Sequence, residues 1–111
     1  MFRSTDIARP PVTVAVEPTD TVVAEMNALH IVIFTVQIDN LDATQTFTGR
    51  VQRRQDSGME WADSTLADFS SIPPLGSVVA DLDVKGTVEL RVVGSMDGAG
   101  GNVRVAARRR S

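Results

Sequence analysis

The sequence predicts an all-β fold, a single antiparallel β-sandwich of about 6–8 strands with an extended N-terminal arm. Apolar and polar residues alternate with a period of two in at least five segments. Turn signals rich in Pro, Gly, Asn and Asp separate these segments, and no stretch carries the 3.6-residue periodicity of an amphipathic helix. With 111 residues the chain has the size of one domain. The expected boundaries are an arm over 1–11, the sandwich over 12–108 and a basic tail over 109–111.

The arm ends in Pro10-Pro11, which favours extended backbone and cannot continue a helix. Val12, Val14 and Val16 then alternate with Thr13, Ala15 and Glu17 as a half-buried strand that Pro18 stops. Residues 21–26 are too short for periodicity to separate strand from helical turn and are assigned to a strand. Residues 29–39 are rich in β-branched side chains, with Val32, Phe34, Val36 and Ile38 on a core face. Their opposite face is apolar at Leu29, Ile31 and Ile33 and polar at Thr35, Gln37 and Asp39. Asn40-Leu41-Asp42-Ala43 supplies a reversal, because Asn and Asp side chains hydrogen-bond their own backbone in turns.

Residues 44–54 place Phe47, Gly49 and Val51 inward and a basic face outward. After a turn at 55–58, the segment with Trp61, Leu66 and Phe69 lacks strict alternation and reads as an irregular connection plugging one end of the core. Pro73, Pro74 and Gly76 punctuate the chain again. Strands over 78–85, 88–93 and 103–108 follow as a meander, with a glycine-rich hairpin at Gly94–Asn102 between the last two. The inward set is Val14, Val16, Val32, Phe34, Val36, Ile38, Phe47, Val51, Trp61, Phe69, Val78, Leu82, Val88, Leu90, Val92, Val103 and Val105.

Composition bounds the chemistry. Apolar residues make up 42%, too many for a disordered chain, and the net charge of −3 with dispersed basic residues argues against nucleic-acid binding. The absence of cysteine removes disulfides, thiolate nucleophiles and Cys-ligated metals. Leu29–Val36, the longest apolar stretch, is far short of the roughly 20 residues a membrane-spanning helix needs. Met1–Asp6 leads into no apolar run of signal-peptide length.

The single histidine, His30, has no second His or Cys to form a metal site with, and no serine lies in a nucleophile-elbow context. The expectation is therefore no enzyme, no catalytic residue, no cofactor and no metal. Asp39/Asp42, Asp81/Asp83 and Asp97 have oxygen ligands for calcium but not the EF-hand spacing, and Asp81 and Asp83 read as surface partners of outward arginines such as Arg91. Interaction is expected instead at the apolar patch Leu29, Ile31 and Ile33, at arm residues Phe2, Ile7, Pro10 and Pro11, and at Arg108, Arg109 and Arg110.

The run from Phe34 to Arg54, with Trp61, Asp68-Phe69, Pro73-Pro74-Leu75 and Val88-Glu-Leu-Arg-Val-Val-Gly-Ser, resembles small structural proteins of tailed-bacteriophage morphogenesis clusters. The resemblance covers residues 30–107 and carries no catalytic signature. It implies a virion component such as a head decoration or cement protein, assembled in the host cytoplasm and bound to the outer shell at subunit junctions. The implied partners are the major capsid protein or other virion proteins and further copies of the chain, with a trimer natural at a threefold junction. A neck or tail adaptor of the same particle fits the same residues. A carbohydrate-binding module is the alternative from another class, with Trp61 as its only strong platform.

Overall fold

The structure, a computed structural model, describes residues 7–8, 10–98 and 100–110. Its strands are β1 (Ile7–Ala8), β2 (Val12–Val14), β3 (Thr21–Asn27), β4 (Ile33–Asn40), β5 (Phe47–Arg54), β6 (Ala62–Ile72), β7 (Ser77–Asp83), β8 (Glu89–Met96) and β9 (Gly101–Arg110). They form two sheets. One runs β1-β9-β4-β7, with β2 also paired to β9, and the other runs β3-β8-β5-β6. All pairings within the sheets are antiparallel.

After β2, every connection except the β5–β6 hairpin crosses from one sheet to the other. That strand order is the jelly roll, a double-sheet solution built from Greek keys. The expected β-sandwich is what the chain adopts, but the expected meander is not. β7 and β9 belong to one sheet, and β8 between them to the other. Alternation tells which side chains face the core, and both sheets share that core, so it is silent on which sheet a strand joins. The Gly94–Asn102 segment is accordingly no hairpin. Gly94–Met96 complete β8, and the chain then crosses to β9 at Gly101.

The core contains Phe34, Val36, Ile38, Phe47, Val51, Phe69, Leu82, Leu90, Val92, Val103 and Val105, all from the predicted inward set. It also takes Val23, Met26, Ile31, Ile72, Val84 and Met96, which lie outside that set. β3 carries a bulge between Val22 and Ala24 that buries the consecutive Val23 and Ala24, which explains why its short sequence shows no clean period.

The segment expected to be irregular is β6. Val51 pairs with Ser64 and Arg50 with Asp68, so three extra residues interrupt the alternation. Two predicted core residues lie at the surface. Val16, 43% exposed, makes an isolated bridge to Met96 outside the strands, and Val32, 40% exposed, lies between the preceding turn and β4. The tail also shrinks, since Arg109 and Arg110 continue β9 opposite Phe34 and Ile33.

Candidate interaction surface

The expected 29–39 strand starts late. Ala28 to Ile31 form a turn closed by the Ile31 amide donating to the Ala28 carbonyl (3.0 Å), and His30 takes a left-handed φ of 64° within it. The turn breaks the parity on which the patch Leu29, Ile31 and Ile33 depended. Leu29 is 51% exposed, Ile33 is half-buried, and Ile31 is a core residue at 6%. Ile31 therefore leaves the candidate surface, and Val32 joins Leu29 on it. These two border a cleft of about 270 Å³ between the β3–β4 and β7–β8 turns, with His30, Lys85, Thr87 and Val88 among its walls.

Of the arm residues, Phe2 lies outside the described residues. Ile7 and Ala8 pair with Ala107 and Ala106, so this part of the arm extends the chain's own sheet along β9. Pro10 and Pro11 are exposed.

Arg108 stands on the outer face of the β9-β4-β7 sheet, and register assembles that face into rows. Arg108, Thr35 and Asp81 share one row, Ala106, Gln37 and Val79 the next, and Arg104, Asp39 and Ser77 the third. Phe34, Val36, Ile38, Val103, Val105 and Ala107, at the alternate positions of β4 and β9, are buried. The face is thus basic along β9, uncharged at Thr35 and Gln37 along its middle, and acidic at Asp81 and Asp83 along β7. The Thr35 hydroxyl donates to Asp81 Oδ1 at 2.6 Å, and the Gln37 amide donates to Asp39 Oδ1 at 2.8 Å. Val79 is 61% exposed. A depression of about 220 Å³ lies between Thr35, Gln37, Val79, Ala106 and Arg108. The sequence displays each outward charge, but only the placement of β4 between β9 and β7 turns them into opposed columns.

The outer face of the second sheet is a network. Arg50 bridges Asp20 (2.6 Å) and Asp63 (3.0 Å), which holds its guanidinium pKa above the ordinary value. Arg54 donates to Glu89 at 3.0 Å, and Arg91 Nε donates to Gln52 Oε1 at 2.8 Å. The guanidinium carbons of Arg54 and Arg91 lie 4.3 and 4.5 Å from the Trp61 ring centre, within cation–π range. Trp61 is therefore a half-exposed lid on two arginines and not the expected core plug. Arg91 lies on the opposite sheet from Asp81 and Asp83 and so is not their partner.

Among the described residues, no group of three or more His, Cys, Asp or Glu side chains is placed to hold a metal ion. His30 is exposed on its turn. No helix of the described residues is long and apolar enough to cross a membrane.

No family model matches the sequence, and no curated protein matches it significantly. Solved structures do match in shape. The crystal structure of PirA aligns with a TM-score of 0.63 at 16% identity, covering 97% of each chain. Naturally occurring empty particles of cowpea mosaic virus (top component) align at 0.44 and 16% identity, covering 97% of this chain and 85% of that one. An empty virus-like particle of the same virus aligns at 0.44 and 15%, covering 99% and 83%. At these identities the likeness to PirA concerns the fold alone, and the two viral matches at 0.44 add nothing to it.

Proposed function

We propose that this chain is a non-enzymatic structural protein of a virus particle, and within that class a capsid decoration or cement protein that binds the outer shell and stabilises subunit junctions. The observation that carries the reading is the jelly-roll strand order, an architecture that viral capsid domains share with lectins and cupins. One architecture hosts many functions, so the surface has to discriminate among them. Here the outer faces are broad, charged and ordered by register, as a protein-binding surface needs.

Mass spectrometry of purified particles tests the reading directly. The chain should be present at a fixed ratio to the major shell protein, and its absence from mature particles overturns the proposal. The lectin-like alternative has one observation in its favour, the half-exposed Trp61. Against it, the Arg54 and Arg91 guanidiniums already cover at least one face of that ring. Glycan binding that is lost on Trp61→Ala would replace the virion reading with the carbohydrate one.

A further inference from the structure

We propose that a second copy of this chain packs face to face on the β9-β4-β7 sheet, about a two-fold axis running close to parallel to β4. The argument is one of symmetry acting on the rows. Rotation about such an axis keeps each row at its height along the strands and exchanges the β9 and β7 flanks. Arg108 then faces Asp81 of the partner subunit, and Asp81 faces Arg108 of the partner subunit, because the two residues share the Thr35 row. One row along, Val79 comes over Ala106 of the partner subunit, because both share the Gln37 row.

Shape agrees with charge at that second row. Val79 projects, at 61% exposed, and the small Ala106 floors the depression of about 220 Å³. The two-fold contact thus seats a knob in a hole twice and pairs opposite charges twice, the self-complementarity that an isologous interface requires. A two-fold axis in the same face but perpendicular to β4, crossing at the Thr35 row, would instead set Arg108 against Arg108 of the partner subunit and Asp81 against Asp81 of the partner subunit.

Area is sufficient. The molecule measures 38 × 33 × 20 Å, and the thin dimension matches two sheets about 10 Å apart with their outward side chains. The two longer dimensions leave room on this side of the molecule for the ~800 Å² per partner of an ordinary stable interface. Much of it is polar, so the affinity should fall with ionic strength. This pairing is two-fold, unlike the trimer expected for a threefold shell junction. It does not rest on the virion reading: a chain absent from particles can still pair, and a particle component can fail to.

Analytical ultracentrifugation of the wild-type chain, Arg108→Asp and Asp81→Arg, alone and mixed, tests the proposal. The wild type should dimerise, and each variant alone should lose at least tenfold in affinity because like charges meet at both symmetry-related contacts. An equal mixture of the two variants should recover the dimer. In the mixed pair the aspartate introduced at position 108 of one chain meets the arginine introduced at position 81 of the other, and the native Arg108 and Asp81 meet at the second contact. An exchange of charges within one chain cannot produce that recovery. Val79→Lys, at an exposed position, should abolish dimerisation with an unchanged melting curve, because its ammonium would stand between Arg104 and Arg108 of the partner subunit, and it supplies the loss-of-pairing readout if Asp81→Arg, which forfeits the Thr35 bond, does not fold. A wild type that stays monomeric up to about 1 mM, single variants that pair like the wild type, or folded variants whose mixture stays monomeric would each overturn the proposal.

Discussion

Gly49 and Gly94 are directly opposed on β5 and β8, and the ring of Phe47 occupies the space that side chains at these two positions would fill. A Cβ on Gly49 would come to 2.5 Å from Phe47 Cε2. A Cβ on Gly94 would strike the same ring and approach the Thr48 carbonyl oxygen to 2.6 Å. Phe47 itself is fully buried. The paired glycines therefore let one large aromatic lie flat against the sheet from inside the core.

Gly94→Ala should destabilise the chain by about 1–3 kcal/mol, the usual cost of overpacking a filled core. Part of the clash is with backbone, which cannot rotate away. Gly49→Ala, which meets mainly side-chain atoms of Phe47 and Phe69, should cost less. Urea denaturation of both variants checks the order, and equal midpoints to the wild type would refute the packing account. Adding Phe47→Leu to Gly94→Ala should recover part of the loss, as expected for residues that share a contact.

Asn40 is the second structural pivot. It is buried, and its Nδ2 donates to the carbonyls of Gln45 (2.8 Å), Ile72 (3.0 Å) and Pro73 (3.2 Å), while its Oδ1 accepts the Asp42 amide (3.0 Å). One side chain thereby ties the β4–β5 loop to the β6–β7 turn. Asn40→Ala should cost about 1–3 kcal/mol, since it leaves buried backbone groups without partners. Asn40→Asp should be worse at neutral pH, because a carboxylate would face carbonyl oxygens. A midpoint for Asn40→Asp at or above that of Asn40→Ala would contradict this role.

The Asn40–Asp42 reversal was legible because its chemistry is local: Asx side chains bond backbone two or three residues away. The strands β4, β7 and β9 were legible because unbroken alternation marks a half-buried face. Features that depend on a neighbour were not. The three-residue interruption of β6 imitates irregular structure, and a positive φ at His30 shifts Ile31 from the surface to the core. Arg108 was legible as a charged interaction residue, but its relation to Asp81 exists only once β4 is known to lie between their strands. Nothing in the sequence alone singles out Val79, and only register sets it in one row with Ala106.

His30 occupies left-handed backbone that costs an L-residue roughly 1–2 kcal/mol. Glycine removes that strain but adds about 0.5–1 kcal/mol of chain entropy to be lost on folding. His30→Gly should therefore stabilise the chain modestly, by about 0.5–1 kcal/mol. His30→Val should destabilise it, because β-branched residues tolerate this region least. Melting temperatures that move in opposite directions for the two variants would confirm the assignment; a drop for His30→Gly would show that the imidazole makes a contact outweighing the strain.

Acid should weaken the fold through three carboxylates held below their ordinary pKa of 3.8. The Gln37 amide and then the Ser77 hydroxyl act on Asp39, the backbone amides of Thr44 and Gln45 on Asp42, and the Gln52 amide followed by Arg50 on Asp63. Each group binds its proton more readily in the unfolded chain, so its contribution is complete above about pH 4 and is lost as pH falls through the lower folded-state value. Melting temperature should accordingly be insensitive to these groups between pH 5 and 7, in keeping with an unfolded carboxylate pKa of about 4, and should fall on further acidification. Asp42→Asn keeps an oxygen to accept the Thr44 and Gln45 amides but takes up no proton. That variant should be less stable than the wild type at neutral pH and lose less on acidification, and an acid limb as steep as the wild type's would remove Asp42 from the account.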